Sequence, residues 1–312
     1  MRKQTLGLHK LALAALFTVG NALIRYPWRQ GDRYTLMLFF VSVVGSLIPA
    51  FLLYPLFRSV WRKPLSQNRG RRWGVGALSV TLGAYALYCA VRCCADYVGF
   101  SMKLIIPQGS RFFLIAIFLS CAVWIASLSE RGLDSFSLLA FVGLTLCVIL
   151  LFSAGFQHFR WEYARADLFA WDTAILKSVP TLWKESLLPL TVLSLYLALT
   201  VPKGGEPALA LGTGIGCVLL FLCVMQGILT FGTAYAAELE HPYSYAVRIL
   251  SVGQYFFRLE GFSYLVDYLS CLIRCAVCLA VVKRLAARFA PRLSRRVPIL
   301  CGVLIFAIFL IQ

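Results

Sequence analysis

The chain has 312 residues, of which 60% are hydrophobic and only 14% are charged. So few polar side chains cannot cover a water-facing surface of this size, which excludes a soluble enzyme, a nucleic-acid-binding protein and a disordered chain. Lysine and arginine still outnumber aspartate and glutamate by 30 to 13, for a formal charge of +17. Because the positive residues lie between long apolar runs, the composition predicts an all-α polytopic integral membrane protein that follows the positive-inside rule.

Nine apolar runs predict about nine transmembrane helices. The first, Leu11 to Ile24, is interpreted as a membrane helix interrupted at Thr18 to Asn21, and a cleaved signal peptide is the alternative for its basic, apolar start. The other runs, in chain order, are Tyr34–Phe57, Trp73–Val91, Phe112–Ser129, Ser135–Gln157, Asp172–Val201, Pro207–Ala237, Gly261–Val282 and Val297–Gln312.

The positive residues also predict an orientation. Two dense basic clusters, Arg58 to Arg72 and Lys283 to Arg296, fall on the same side if the spans alternate. The positive-inside rule places that side and the amino terminus in the cytoplasm, and nine spans place the carboxyl terminus outside. Residues 238–260 carry the helix breaker Pro242 near their start and mix charged with apolar residues. This pattern predicts an extracytoplasmic amphipathic connector.

The residues that could carry chemistry do not form a catalytic pattern. The three histidines lie at or beyond span ends, and no nucleophile–base pair or glycine-rich phosphate loop accompanies them, so we do not expect an enzyme. Cys271, Cys275 and Cys278 have metal-like spacing without a neighbouring histidine, so plain packing is favoured over metal ligation or redox work. We expect no metal or cofactor.

Scattered residues over nearly the whole chain resemble a known family. The stretch from Gly227 to Glu260 and the amino-terminal segment from Thr18 to Asp32 carry the resemblance. The matching residues are Phe231-Gly232, Pro242-Tyr243, Tyr245-Ala246, Arg248-Ile249-Leu250, Gly253, Arg258-Leu259-Glu260, Thr18 to Ile24, Pro27 and Gly31-Asp32. This pattern is similar to the GerAB/ArcD/ProY family, the B subunits of spore germinant receptors, within the amino acid–polyamine–organocation transporter superfamily.

The resemblance implies a single transmembrane domain with a LeuT-like bundle of two inverted five-helix repeats. Residues 1–157 would form the first repeat and residues 169–312 a second, incomplete repeat that lacks the usual tenth helix. The implied function is nutrient sensing in the spore inner membrane, with an amino acid as the expected ligand and separate A-type and C-type subunits as partners. An amino-acid permease working by alternating access and a ligand-blind membrane scaffold are the two alternatives.

The predicted interruption of the first span is the sharpest candidate ligand site. Transporters of this superfamily bind substrate near the bilayer midplane, where unwound helices expose backbone N–H and C=O groups. Thr18, Val19, Gly20 and Asn21 have the composition and depth for such a site. The alternative is that Gly20 allows close helix packing and Asn21 forms hydrogen bonds between helices.

The sixth span should supply the partner of this break. Ser178, Pro180 and Thr181 predict freed backbone carbonyls just before Glu185, a carboxylate that is costly in the hydrocarbon region. A solvated interfacial segment outside the bilayer is an equal alternative, and Lys177 and Lys184 depart from the apolar residues usual in the family.

Six further residues are assigned weaker roles. Tyr85 and Tyr88 are candidates for a pocket wall, although aromatic residues in a bundle more often belong to the core. Asp267 and Arg274 lie two turns apart in the eighth span, and structural ion pairs across the bundle are favoured for them over ligand contact. The resemblance assigns Arg258 and Glu260 to folding and gating at an external lid.

Overall fold

The computed structural model describes residues 2–20, 22–25, 29–30, 33–34, 44, 47, 51–61, 69–163, 188–201, 205–250, 259–292, 294 and 296–311. Within these ranges the chain is helical, apart from one short antiparallel ladder. Five of the described helices are long and apolar enough to cross a membrane, and three shorter apolar helices accompany them. The prediction of a helical protein with membrane-spanning character is confirmed at this level.

The helices and strands follow the predicted apolar runs. In chain order they are α1 (Arg2–Val19), α2 (Ala22–Arg25), β1 (Arg29–Gln30), β2 (Arg33–Tyr34), α3 (residues 51–61), α4 (Arg69–Leu104), α5 (Arg111–Ser127), α6 (Glu130–Gly155), α7 (Leu188–Thr200), α8 (Gly205–Phe231), α9 (Thr233–Glu238), α10 (Pro242–Ile249), α11 (Glu260–Phe289) and α12 (Val297–Ile311). A 3-10 turn, Phe156–His158, extends α6.

The first helix ends where the sequence predicts an interruption. Helix α1 stops at Val19, Gly20 forms a turn, and α2 begins at Ala22. The short ladder that follows pairs Arg29 with Tyr34 and Gln30 with Arg33. Tyr34, the predicted first residue of the second span, therefore belongs to a strand instead.

Two helices extend well beyond their predicted ends. Helix α4 continues past Val91 to Leu104, because no helix breaker intervenes and Arg92 pairs with Asp96 one turn later at 4.0 Å. Its 36 residues span about 54 Å, which exceeds the roughly 30 Å of a bilayer's hydrocarbon core. Helix α11 likewise passes the predicted end at Val282 and carries the first part of the second basic cluster.

The predicted seventh span ends at a glycine that the backbone requires. Helix α8 stops at Phe231, and Gly232 adopts a φ of 81°, a left-handed conformation that side chains disfavour. The short helix α9 then leaves in a new direction. The sequence prediction of one span with an exit segment, Pro207 to Ala237, corresponds to these two helices.

Helices α1 and α11 form the centre of the bundle. Helix α1 packs against α6, α7, α8 and α11, and α11 also packs against α4, α5 and α12. Two glycines one turn apart on α8 bring α1 close. A Cβ atom on Gly212 would lie 2.6 Å from the Leu11 carbonyl oxygen, and one on Gly216 would lie 2.7 Å from the Ala15 carbonyl oxygen. This is the small-residue contact by which membrane helices approach closely.

Positive side chains join several helix ends at one end of the bundle, called here the basic end. The Lys10 Nζ atom lies 2.8 Å from Asp134 Oδ1, and Arg288 Nη2 donates to the Trp61 carbonyl at 2.7 Å. Lys283 Nζ donates to the last carbonyl groups of α5 at 3.1–3.3 Å. The starts of α1 and α6 therefore meet the ends of α3, α5 and α11 here.

The other helix ends meet at the opposite end of the bundle, called here the connector end. Lys103, near the end of α4, pairs with Glu240 after α9 at 2.7 Å. Arg248 on α10 donates to the Leu104 carbonyl at 2.6 Å, and Arg160 N donates to the Leu229 carbonyl at 3.0 Å. The ends of α4 and α8 therefore meet α10 and the 3-10 turn after α6 at the connector end, whereas Lys283 and Arg288 of the second basic cluster lie at the basic end.

The close approach of α1 to α8 predicts a difference between neighbouring glycines. Gly216→Ala should lower the free energy of unfolding by about 1–3 kcal/mol, because the new methyl group meets the Ala15 carbonyl. Gly214→Ala is the matched control, since nothing lies within 4 Å of a Cβ atom there. Thermal unfolding of both purified variants in the same detergent measures the difference, and equal stability would show that α1 and α8 are further apart.

Candidate functional site

The interruption of α1 is bonded to a buried arginine of α11. The Gly20 N–H still donates to the Leu16 carbonyl at 2.9 Å, but the last carbonyl groups of a helix have no partner within it. Arg274 Nη1 donates a hydrogen bond to the Gly20 carbonyl, and its guanidinium lies over the Phe17 ring, 5.3 Å from the centroid. Arg274 is only 8% exposed. A buried cation therefore lies at the end of α1 where the helix dipole is negative.

Gly20 is required by the packing of α1 on α11. A Cβ atom at this position would lie 2.6 Å from the Ser270 carbonyl oxygen and 3.1 Å from Arg274 Cβ. No side chain can occupy that space without moving one of the two helices. The packing interpretation of Gly20 therefore has direct geometric support, and Gly20→Leu would disturb the bundle before it tested a ligand site.

The contact lies deep in the membrane-spanning part of α11. Arg274 follows the first residue, Glu260, by 14 positions and precedes the last, Phe289, by 15. At 1.5 Å per residue it lies about 21 Å along a helix of about 45 Å. This depth is where transporter-like proteins place their substrate sites.

The two candidate tyrosines of α4 face different surroundings. Tyr85 is half-buried, hydrogen-bonded to Cys89 and within electrostatic reach of Arg274. Tyr88 is 50% exposed and accepts a hydrogen bond from Arg92 at 3.5 Å. Of the two, only Tyr85 is therefore partly buried and within electrostatic reach of Arg274, while Tyr88 lies on the outer side of α4.

Asp267 lies on α11 two turns before Arg274 and is 2% exposed. None of the residues that the structure describes forms an ion pair or hydrogen bond with its carboxyl group. The expected ion pair is therefore not found within that part of the chain, and Arg274 is bonded to a backbone carbonyl instead. Tyr97 of α4 and Cys223 of α8 are the titratable groups close enough to interact with Asp267.

A buried ion pair at the basic end was missed by the sequence analysis. Lys10 and Asp134 have side chains only 3% and 5% exposed, and Lys10 also lies 5.0 Å from the centre of the Tyr196 ring. The sequence interpretation placed Lys10 in a cytoplasmic loop, but it belongs to α1. The sequence did contain an indication of this pair, since Lys10 and Asp134 each precede the start of an apolar run. The starts of two helices meet when the helices run parallel.

Arginine and glutamate order the connector end. Arg248 donates to the Leu104 carbonyl and to the Tyr264 hydroxyl at 2.8 Å, and its Nε lies 3.9 Å from Glu260. Glu260 therefore joins α10 to the start of α11, in the region assigned to folding and gating. Arg248, to which the sequence analysis assigned no site role, bonds or pairs with Leu104, Tyr264 and Glu260 and so orders more of this end than Glu260 does.

His241 lies buried beside this connector. Its ring packs edge-on against Phe100 with centroids 4.9 Å apart, next to the Lys103–Glu240 ion pair. Burial lowers the pKa of His241 below the ordinary value of 6.5, with smaller opposing influences from Glu240 and the Ile24 backbone. The neutral imidazole is therefore the form that fits the packed connector.

Six of the eleven cysteines lie on α4 and α11, where some of them pack across the interface of the two helices. All eleven are free, and Cys93 Sγ donates to the Cys271 carbonyl at 3.2 Å. Cys275 Sγ similarly approaches the Ala90 carbonyl at 3.9 Å. Over the described ranges, no group of three or more histidine, cysteine or acidic residues could hold a metal ion.

Six of the predicted site residues lie outside the described residues. They are Asn21, Ser178, Pro180, Thr181, Glu185 and Arg258. Of the others, the structure brings together Gly20 and Arg274, with Thr18 and Val19 in the last turn of α1 and Tyr85 within electrostatic reach of Arg274. Thr18 donates to the Ala14 carbonyl at 2.8 Å, so its hydroxyl is used within α1.

No protein-family model matches the chain, and no curated protein matches it either. The resemblance to the GerAB/ArcD/ProY family therefore remains a prediction from the residues quoted above.

The Lys10–Asp134 pair predicts strongly non-additive mutations. Lys10→Met or Asp134→Leu alone should cost about 3–5 kcal/mol of unfolding free energy, because each leaves a buried polar group without its partner. The double variant Lys10→Met with Asp134→Leu should recover most of that loss. Arg58→Met with Glu206→Gln is the control, since that pair is partly exposed and should contribute at most about 1 kcal/mol. Additive losses at Lys10 and Asp134 would show that the two side chains do not interact.

His241 predicts that the connector weakens in acid. Its pKa is lowered in the packed state, so the released connector takes up a proton that the packed one does not, and packing loses stability as the pH falls below 6.5. Hydrogen–deuterium exchange of residues 242–249, corrected for intrinsic rates, should therefore speed up in mild acid. His241→Gln should abolish this pH dependence, and equal protection of the wild type above and below 6.5 would contradict the assignment.

Proposed function

We propose that the chain is a nutrient-sensing membrane subunit of the spore germinant receptor B type, with an amino acid as its ligand. The single observation that carries the proposal is the end of the central helix α1 at mid-depth, next to Arg274. A buried guanidinium beside an interrupted helix can accept the carboxylate of an amino acid. The resemblance of Thr18 to Ile24 and of Gly227 to Glu260 to the germinant-receptor family supports the same function.

The proposed architecture is a nine-span, LeuT-like bundle without the tenth helix. Five long and three shorter apolar helices account for eight of these spans. The ninth would be the predicted run 34–57, of which residues 51–57 belong to α3. The basic end is proposed to face the cytoplasm, with A-type and C-type subunits as partners in the spore inner membrane. Reading frames for A-type and C-type subunits next to the reading frame of this chain would favour the receptor over a permease.

The proposed ligand site has three walls within the described chain. The end of α1 provides the Gly20 carbonyl and the Phe17 ring, α11 provides Arg274, and α4 provides the Tyr85 hydroxyl. The guanidinium of Arg274 has five N–H donors in a planar fork, which suits a carboxylate. A bound carboxylate would therefore compete with the Gly20 carbonyl for these donors. Ligand binding would then change how firmly α1 is held to α11, which is a physical route from binding to a signal.

Binding and transport are separated by two measurements on the purified chain. Amino acids should raise its unfolding temperature in lipid nanodiscs, because a ligand that binds only the folded state stabilises it. Liposomes containing this chain alone should show no counterflow of the same amino acid, since sensing requires one binding state and transport requires two sealed ones. Saturable counterflow would establish the permease instead, and absence of any stabilisation by all twenty amino acids would favour the ligand-blind scaffold.

Tyr85 and Tyr88 provide a matched pair of variants. Tyr85→Phe removes a hydroxyl within electrostatic reach of Arg274 and should weaken amino-acid binding about five- to tenfold, the loss of one hydrogen bond to the ligand, at unchanged stability. Tyr88→Phe removes a hydroxyl on the outer side of the same helix and should leave binding unchanged. Isothermal titration with the stabilising amino acid tests both, and equal affinities for the two variants would move the site away from Arg274.

A further inference from the structure

We propose that Asp267 is a proton-binding carboxyl group in the membrane interior. Its side chain lies on α11, about 10 Å along the helix from Arg274 and about 10 Å from Glu260, so it is inside the span. Only 2% of the residue is exposed. This inference does not depend on the identity of the nutrient or on the proposed receptor function.

A carboxylate at this position would be left without compensation by the rest of the described chain. The cationic residues that the structure places in ion pairs bond other acids, and Arg274 bonds the Gly20 carbonyl. Ser270 donates its hydroxyl to the backbone carbonyl of Asp267, not to the carboxyl group. A buried charge without a partner costs several kcal/mol, so the carboxyl group is held neutral by a bound proton.

The neighbouring groups favour a proton over a metal cation. Among the described residues, Tyr97 on α4 and Cys223 on α8 lie close enough to Asp267 to interact with it electrostatically. Both are neutral groups. They do not oppose a bound proton, and they do not supply a second carboxylate for a metal cation. A calcium ion needs six to eight oxygen ligands, whereas no group of three or more acidic, histidine or cysteine residues that could hold a metal ion occurs among the described residues.

The consequence is that proton release requires movement of α11. Because only 2% of Asp267 is exposed, an ionised form is tolerated only if water or a cation reaches it, which needs the helices packed around α11 to separate. Arg274 lies two turns further along the same helix and is bonded to the end of α1. Protonation of Asp267 thus favours the closely packed bundle, and deprotonation favours an opened one.

Infrared spectroscopy of the full chain in lipid tests the proposal directly. A protonated carboxyl group in an apolar site gives a C=O stretch above the amide band, which an ionised carboxylate lacks. The wild type at neutral pH should show this band, Asp267→Asn should lose it, and the control Asp96→Asn, which removes the acid beside Arg92, should keep it. The band should be unchanged when potassium replaces sodium.

A second variant keeps the test decisive if Asp267→Asn does not fold. In protein grown with carboxyl-labelled aspartate, the wild-type band should shift to lower frequency, and Asp267→Glu should restore an unshifted band. Absence of an aspartate-shifted band in the folded wild type at neutral pH would overturn the proposal. Loss of the band on adding sodium at constant pH would also overturn it, because the site would then hold a metal cation.

Discussion

The hydrogen bond from Arg274 to the Gly20 carbonyl is the contact on which the rest of the bundle depends. Helix α1 ends in the protein interior, and a helix that ends there leaves carbonyl groups that water cannot reach. Arg274 satisfies one of them and places its own charge against the negative end of the α1 dipole. An interrupted helix and a buried arginine, each unfavourable alone in a membrane, are therefore stable together.

This contact determines which residues can surround it. Gly20 must lack a side chain because α11 passes at contact distance, and Gly212 and Gly216 let α8 approach α1 from another side. The Lys10–Asp134 pair fixes the other end of α1 to α6. Helix α1 is thus held at both ends by buried charge and along its length by close packing, so a change at its interruption is transmitted to several helices.

Much of the fold could be predicted from the sequence, because hydrophobic length and charge placement act locally. The interruption near Gly20 was visible as a break in an apolar run, whereas the turn after Phe231 lies inside the predicted run Pro207–Ala237. The end of α4 was not visible either, since Arg92 resembles a loop charge until its partner one turn later is known. The site was harder to predict, because apolar periodicity does not determine how each helix is rotated about its axis. That rotation decides that Arg274 bonds a carbonyl of α1 and that no described residue pairs with Asp267.

The most direct test of this account is the stability of Arg274→Gln relative to Arg92→Gln, two arginine substitutions on helices that contact each other. Arg274→Gln should lower the free energy of unfolding in lipid-like micelles by about 1.5–3 kcal/mol, the contribution of a buried charged hydrogen bond. Arg92→Gln removes a long ion pair to Asp96 and a long hydrogen bond to Tyr88 from a half-exposed side chain, and it should change the free energy of unfolding by less than about 1 kcal/mol. A folded Arg274→Gln protein as stable as the wild type would contradict the central role of the contact between Arg274 and Gly20.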